Sequence, residues 1–123
     1  MNETSATREL NIRMTYLRLI ADAVKTVEVR VGYPKVRRIR AGESLVFVSG
    51  DVRLVTTVKR VTEYASFDAM LDHEDARSIG GDLGESRDGL LSVIRGIYPP
   101  EKERLGVFAI EVEPTSIEGA GAA

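Results

Sequence analysis

The stretch Ala23-Val24-Lys25-Thr26-Val27-Glu28-Val29-Arg30 joins two different sequence patterns. Before it, apolar residues recur at helical spacing behind an expected N-cap at Thr15. This predicts a short helix that ends near Lys25, with an inner face of Leu17, Ile20, Ala21 and Val24. From residue 26 to 31, polar and β-branched side chains alternate, which is the period of a half-buried strand. The stretch is therefore predicted to be a helix-to-strand junction, and it sets where the charged side chains lie.

The polar face of this predicted strand has two interpretations. Val27, Val29 and Val31 are expected to face the core, so that the opposite face carries Thr26, Glu28 and Arg30. With Lys25 at the edge, two cations and a carboxylate then line one cleft. Alternating charges are also common on solvated strand surfaces, where removing one costs only about 0–1 kcal/mol of folding free energy. The pattern alone leaves both interpretations open.

The rest of the chain indicates an α+β fold. Further strands are predicted at residues 44–48, 52–62 and 106–113, with a tight turn over residues 49–51. Helices are predicted from Ser66 and over 86–98, separated by a Gly-rich loop at 79–84. Strands with helical insertions are typical of a curled or barrel-like sheet with flanking helices. We expect one domain over 9–114, a disordered N-terminal tail at 1–8 and a flexible C-terminal tail at 115–123.

Composition excludes several classes of site. The chain has 123 residues, a formal net charge of −2, one histidine and no cysteine. Disulfides, thiolate metal sites and cysteine nucleophiles are thereby excluded, a zinc hydrolase is disfavoured, and we expect no metal and no cofactor. His73, among carboxylates, is expected to be an exposed helix-end residue. The polar start and the short apolar runs predict no signal peptide, no membrane span and a cytoplasmic location.

A basic stretch follows the junction. Residues 25–40 contain six lysines and arginines but only one acidic residue, Glu28. Such a segment is able to hold phosphates, and Tyr33 within it is able to stack on a base. A basic loop on a solvated surface explains the same pattern. If the functional interpretation holds, the ligand contacts here are Tyr33, Arg37 and Arg38.

The junction resembles the G-x-K-x-x-E-x-R signature of the ASCH domain, a PUA-like family. Lys25, Glu28 and Arg30 match the signature, whereas Ala23 stands in place of its glycine. The stretch 39–47 is similar to the family's strand entry x-x-G-D-x-I-x-F, with Glu43 for aspartate. Tyr64-Ala65-Ser66-Phe67 and Ile97-Tyr98-Pro99 also look like segments of small stand-alone bacterial members. The resemblance covers about residues 10–113 in the family's order.

The resemblance implies a small PUA-like β-barrel with flanking helices and a cleft lined by the signature residues. The implied function is binding of RNA or of a modified nucleoside or nucleotide, with Lys25, Thr26, Glu28 and Arg30 in the cleft. The implied alternatives are a metal-independent hydrolase of the N4-acetylcytidine amidohydrolase type and a small ribonuclease. In such amidohydrolases the lysine works with a threonine three positions later, but Glu28 occupies that position here. Lys25 and Glu28 are therefore the catalytic candidates if the protein is an enzyme.

Two further points stay open from sequence. An acid from the later insertion completes the cleft of such amidohydrolases, and Glu74, Asp82 or Glu85 is able to correspond to it. An accessory domain that recognises a protein partner is a third interpretation, although no large apolar surface stripe favours it. We expect RNA or a nucleoside as partner, no membrane, and a monomer or weak homodimer.

Overall fold

Five strands form one curled sheet in the computed structural model, which describes residues 7–81 and 86–119. The strands are β1 (Thr7–Asn11), β2 (Val27–Val31), β3 (Ser44–Ser49), β4 (Val52–Tyr64) and β5 (Val107–Glu118). Their order in the sheet is β1-β3-β4-β5-β2. β1 pairs with β3 in parallel, and the other three pairs are antiparallel. The predicted α+β class with a curled sheet is confirmed.

Helices flank this sheet and connect its strands. They are α1 (Met14–Ala21), α2 (Pro34–Arg37), α3 (Phe67–His73), α4 (Ala76–Gly80) and α5 (Arg87–Ile97), followed by a 3-10 helix over Pro100–Leu105. The caps predicted for α3 and α5 are present: the Ser66 hydroxyl accepts from the N–H of Ala69, and the Ser86 hydroxyl from that of Gly89. Of the described residues, no helix is both long and apolar enough to cross a bilayer.

The two faces of the sheet pack into two separate cores. Phe108, Ile110 and Val112 of β5 point into the concave side, against α1 and strands β3 and β4. Val107 and Ala109 point to the convex side, where α3, α4 and α5 pack. Because residues paired directly across a ladder share a face, Glu28 opposite Ile110 and Arg30 opposite Phe108 lie on the concave side. The charged face of β2 is therefore directed inward, at the open end of the curl.

The curl stops short of a closed barrel. β1 and β2 are the two edge strands, and they are not hydrogen-bonded neighbours. The guanidinium of Arg30 bridges the gap by donating to the carbonyl of Asn11, with an N–O distance of 2.7 Å. We call the gap between Asn11–Arg13 and the free edge of β2 the seam. The sheet is thus a half-barrel joined across its open side by one side chain.

Helix α1 differs from its prediction at both ends. It begins at Met14 with Arg13 as N-cap, and Thr15 is not the cap. The preceding N–H of Ile12 bonds to the carbonyl of Val48, so pairing at the end of β1 fixes where the helix starts. The helix ends at Ala21 rather than near Lys25, which leaves Val24 42% exposed instead of in the core.

The early end of α1 is a Schellman motif. The N–H of Ala23 bonds to Ile20 and that of Val24 to Leu19. This motif requires a left-handed residue, and Ala23 has a φ of 59°, the only positive φ at a non-glycine position among the described residues. Glycine occupies this position in the signature quoted above, and the backbone conformation explains that preference.

Both predicted tails include residues that belong to strands in the structure. Thr7 and Arg8 belong to β1, where they pair with Ser44 and Leu45. Only Leu10 of β1 is buried, so the strand shows too little alternation to be recognised from sequence. At the other end, β5 continues to Glu118, and Pro114 is accommodated at an irregularity in the pairing with β4. Residues 1–6 and 120–123 lie outside the described part.

Other predicted elements shift by a few residues. β4 continues to Tyr64 rather than 62, and α2 begins directly after the break at Gly32-Tyr33. The prediction of a Gly-rich loop over 79–84 is wrong for its first two residues. Ile79 and Gly80 are buried and belong to the last turn of α4. Residues 82–85 of that loop lie outside the described part.

Candidate functional site

A cavity of about 260 Å³ lies at the seam. The free edge of β2 forms one side, the chain from the end of β1 into α1 forms another, and α5 forms the third. The residues that line it are Asn11, Ile12, Arg13, Tyr16, Lys25, Glu28, Val29, Arg30, Ile79, Leu90, Val93, Ile94, Ile97 and Tyr98. The volume is just below the roughly 300–1,000 Å³ found for small-molecule sites, so it suits a small ligand or one ring of a larger one.

Lys25 is buried at the inner end of the cavity, with 4% of its surface exposed. Its ammonium lies 2.8 Å from the carbonyl oxygen of Val27 and 2.5 Å from that of Ile79. It also lies 3.1 Å from the Glu28 carboxylate. An ammonium has three N–H donors, and these three acceptors match them. Lys25 thereby connects the end of α4 to the start of β2 and fixes the Glu28 side chain.

Glu28 lies between the two cations of the signature and is 7% exposed. One carboxylate oxygen contacts Lys25 and the other accepts from Nε of Arg30. Burial disfavours the charged form, but the charges of Lys25 and Arg30 and their hydrogen bonds outweigh it and lower the pKa of Glu28. The carboxylate is therefore ionised at neutral pH.

The burial of these two residues corrects a premise of the sequence analysis. Lys25 and Glu28 are not partly exposed strand charges, so the cost of about 0–1 kcal/mol expected for removing one does not apply to them. Removing one partner of a buried ion pair leaves the other charge uncompensated and typically costs about 3–5 kcal/mol. Substituting Lys25 or Glu28 therefore tests the fold as well as the cavity.

Arg30 is the more accessible cation, with 19% of its side chain exposed. Nε bonds to Glu28, and one terminal nitrogen bonds to the carbonyl of Asn11. The other terminal nitrogen, Nη1, has no protein partner among the described residues. The side chain is thus held in place by two contacts and retains a donor group in a residue that lines the cavity.

The side of the cavity opposite these charges is apolar and belongs to α5. Leu90 and Ile94 are buried, whereas Val93 and Ile97 are 43% and 57% exposed. The spacing of these four residues, at intervals of three and four along α5, predicts that all of them face the core. The two outer residues instead border the cavity, which explains why large aliphatic side chains remain accessible here.

The cavity is positive in an otherwise acidic protein. The described lining residues include three cations, Arg13, Lys25 and Arg30, and one carboxylate, Glu28. Their net charge of +2 contrasts with −2 for the whole chain. Such a local excess favours anionic ligands and groups rich in hydrogen-bond acceptors.

The remaining predicted site residues lie outside the lining. Thr26 uses its backbone to bond Ser78 and Val112. Tyr33 is 41% exposed, with the ammonium of Lys102 lying 5.6 Å from its ring centroid. Arg37 bonds to Glu63 and to the carbonyl of Leu105, and Arg38 is exposed at the end of α2. The structure therefore brings Lys25, Glu28 and Arg30 together and places the basic surface of α2 elsewhere.

Glu74 has a different environment from the cavity. It bonds to both terminal nitrogens of Arg60 and to the hydroxyl of Tyr64. The Arg60 hydrogen bonds lower the pKa of Glu74 in spite of its burial. Asp82 and Glu85, the other two candidate acids, lie outside the described residues.

His73 is exposed at the end of α3, where its ring stacks on Tyr64 with centroids 5.6 Å apart. Within 7–81 and 86–119, no three histidine or carboxylate side chains form a metal-binding group.

A scan of protein-family models gives one match that decides the family. The model of the ASCH domain matches residues 10–116. The chain belongs to the ASCH family. No curated protein matches it.

Three solved structures are similar to this chain. The hypothetical protein PH0355 is 32% identical, with a TM-score of 0.82 over 89% of this chain and 100% of that one. Protein PF0455 from Pyrococcus furiosus is also 32% identical, with a TM-score of 0.74 over 90% of this chain and 99% of that one. A mutant form of the ZmASCH protein from Zymomonas mobilis is 11% identical, with a TM-score of 0.62 over 91% of this chain and 74% of that one. This last match shows a shared fold alone.

Sequence reasoning predicted three of the fourteen residues that line the ASCH cavity, Lys25, Glu28 and Arg30, and missed the others. Asn11, Arg13 and Tyr16 come from the β1–α1 region, which carries no motif. Val93 and Ile97 lie on a helical face that predicts burial equally well. The one available signal was the width of that face: five apolar residues, Leu90, Leu91, Val93, Ile94 and Ile97, are more than one packing surface of a short helix requires.

Proposed function

We propose that this ASCH domain binds RNA, or a modified nucleoside or nucleotide, in the seam cavity. The observation that carries the proposal is Arg30. Its guanidinium is fixed by Glu28 and Asn11, lines the cavity, and keeps one terminal nitrogen without a protein partner among the described residues. A preoriented donor group of this kind binds carbonyl or phosphate oxygens with little loss of side-chain entropy.

The two sides of the cavity support the same type of ligand. A nucleobase has a polar edge and two apolar faces. Arg30 and Arg13 supply donors for the edge or for a phosphate, and Val93 and Ile97 supply aliphatic surface for a face. Lys25 acts on the ligand indirectly, because its three donors are matched by protein acceptors. It fixes Glu28, and Glu28 in turn fixes Arg30.

Two observations favour binding over hydrolysis. A carboxylate that carries protons near neutrality needs a raised pKa, whereas the pKa of Glu28 is lowered. The cause is that both of its oxygens are already bonded to cations. The hydroxyl three positions after the lysine, on which the amidohydrolase interpretation depends, is absent.

Binding of short single-stranded oligoribonucleotides and of free nucleosides is measured by calorimetry. We expect Arg30→Gln to weaken binding at least tenfold, and Arg30→Lys to restore only part of it, because one ammonium is unable to serve Glu28, Asn11 and a ligand together. Arg53→Gln is the matched control, since Arg53 forms an exposed pair with Glu9 away from the cavity. Equal binding by parent and Arg30→Gln, with both folded, would refute the proposal.

Hydrolysis is tested by incubating the protein with N4-acetylcytidine in excess chelator and following cytidine release. We expect no turnover approaching about one per second, the low end of ordinary enzyme rates. Turnover at that rate, abolished in a folded Glu28→Gln variant, would establish the enzyme instead.

A further inference from the structure

The backbone of β2 alternates between paired and unpaired groups. The Thr26 carbonyl accepts from the Val112 N–H, and the Gly32 N–H donates to the Gly106 carbonyl. In an antiparallel ladder every second residue directs both groups to its partner. Glu28 and Arg30 therefore direct theirs to β5, and Val29 directs its N–H and C=O to the opposite side. That side is the free edge of the sheet, at the seam.

Among the described residues of this edge, Val29 is the one whose N–H and C=O both stay open to the cavity. The flanking carbonyls are occupied, that of Val27 by Lys25 and that of Val31 by the N–H of Tyr33. The N–H and C=O of Val29 have no partner within the described residues, and Val29 lines the cavity while half-buried. Partly buried backbone groups are nearly always paired, with protein, water or ligand. A ligand in the cavity meets one donor and one acceptor here, next to the free donor of Arg30.

We infer that this edge selects pyrimidines, an inference that rests on the proposed function and names its ligand class. Val29 and Arg30 together offer two donors, N–H and Nη1, and one acceptor, the Val29 carbonyl. The Watson–Crick edges of uracil and cytosine each offer two acceptors and one donor, in the order acceptor–donor–acceptor in uracil and acceptor–acceptor–donor in cytosine, so the three protein groups fully complement one of these two bases. Guanine offers one acceptor and two donors, and adenine offers one of each. The backbone of β2 thereby discriminates between bases by hydrogen bonding. The cavity volume is also sufficient for a single ring.

An added peptide strand fits the same edge less well. Strand addition uses several consecutive backbone groups along an exposed edge. Here the carbonyls on both sides of Val29 are already bonded. One residue's pair of groups matches a planar ring and does not support a strand.

The ligand side of the inference is tested by calorimetry with the parent protein. One of the two pyrimidine nucleotides, uridine or cytidine monophosphate, should bind at least tenfold more tightly than the adenosine and guanosine monophosphates. Methylation of that pyrimidine at N3 removes the N3 donor of uracil or blocks the N3 acceptor of cytosine and should weaken binding at least tenfold, whereas methylation at C5, away from this edge, should change it less than threefold. Equal binding of all four nucleotides, together with loss of binding in Arg30→Gln, would overturn the inference and leave the proposed function standing. Failure of every nucleotide and oligoribonucleotide to bind would overturn both.

The protein side is tested by replacing Val29 with proline, which removes the N–H. Proline is tolerated on a free strand edge, because no ladder bond of Val29 is lost. A folded Val29→Pro variant should lose the preference for pyrimidines, whereas Val29→Thr, similar in shape and retaining the N–H, should keep it. An unchanged preference in folded Val29→Pro would contradict the assignment, and the methylated nucleosides decide the matter if Val29→Pro does not fold.

Discussion

Ala23 is the residue at which α1 turns into the approach to β2, and it does so in a left-handed conformation. This conformation costs a residue with a Cβ about 1–2 kcal/mol of conformational free energy, whereas glycine has no steric cost there. Glycine also makes the unfolded chain more flexible, which offsets part of the gain. We predict that Ala23→Gly raises the free energy of unfolding by about 0.5–1 kcal/mol, measured by urea denaturation.

Ala65 provides the control for this comparison. It is exposed, and its φ is not positive. Ala65→Gly carries the same cost in the unfolded chain without relieving any strain, so it should lower stability. A loss of stability in Ala23→Gly equal to that in Ala65→Gly would contradict a strained Ala23.

Glu28 makes stability depend on pH. Because its pKa is lowered on folding, its stabilising contribution is complete above the unfolded value of 4.5 and is lost as the pH falls through the folded value. Glu28→Gln removes that contribution. We predict that the variant is less stable than the parent at pH 7 and that the difference narrows below about pH 4.5. Urea denaturation of both proteins between pH 7 and 3 measures it, and a constant difference over the range would contradict the prediction.

At the scale of elements, Glu74 joins α3 and α4 to β4. It follows directly after α3, its side chain is 6% exposed, and it accepts two bonds from Arg60 and one from Tyr64. Glu74→Gln keeps the shape but loses the charge and at least one acceptor. We predict a loss of about 1–3 kcal/mol in the free energy of unfolding, because charge-assisted bonds to a buried group are lost.

Asp72→Asn, two residues earlier and within α3, is the control for Glu74. Asp72 also bonds an arginine, Arg87, but its side chain is 60% exposed. Solvent competes for such a pair, so the unfolding midpoint should hardly change. Equal midpoints for the Glu74 and Asp72 variants would show that Glu74 does not stabilise the helical layer.

Helix α2 carries the basic surface that lies outside the cavity. Arg37 is bound to Glu63 and Leu105, but Lys35 and Arg38 are exposed. If an RNA strand held in the cavity continues over α2, the double variant Lys35→Gln, Arg38→Gln should flatten the plot of log affinity against log salt by about 0.7 per lost phosphate contact. The control is Arg53→Gln, Lys59→Gln, which removes two cations from exposed pairs with Glu9 and Glu113. Equal slopes in both double variants would exclude α2 from the interface.

The elements differ in how well the sequence predicts them, for physical reasons. β2 has clear alternation, β3 is a short apolar run that ends at a turn, and α5 has a serine cap, so the ends of all three were predicted to within one residue. The cap at Ser66 likewise predicted the start of α3. β1 is a strand because β3 pairs with it, and the end of α1 depends on a backbone dihedral at Ala23. Such features arise from tertiary pairing and local strain, which residue periodicity does not encode.

At the scale of the whole molecule, the same limit applies to the site. The spacing of Glu28 and Arg30 placed them on one strand face with Lys25 at its edge, and the family resemblance favoured a shared cleft; in the structure Glu28 contacts both cations. Their burial was not predictable, because alternation has the same period whether the polar face meets solvent or the open end of a half-barrel. The apolar side of the cavity comes from α5, more than 60 residues later in the chain, and only the folded sheet brings the two together.

The unpaired edge of β2 has a consequence for isotope exchange. The amide protons of Glu28 and Arg30 are bonded within the sheet, whereas that of Val29 between them faces the cavity. In deuterated solvent, the Val29 amide should therefore exchange whenever solvent enters the cavity. The amides of Glu28 and Arg30 should exchange only when the strand pairing opens. A bound pyrimidine should slow the exchange of the Val29 amide more than that of Glu28 or Arg30. The Val29 amide therefore reports on occupancy of the cavity, and its two neighbours report on the integrity of the sheet.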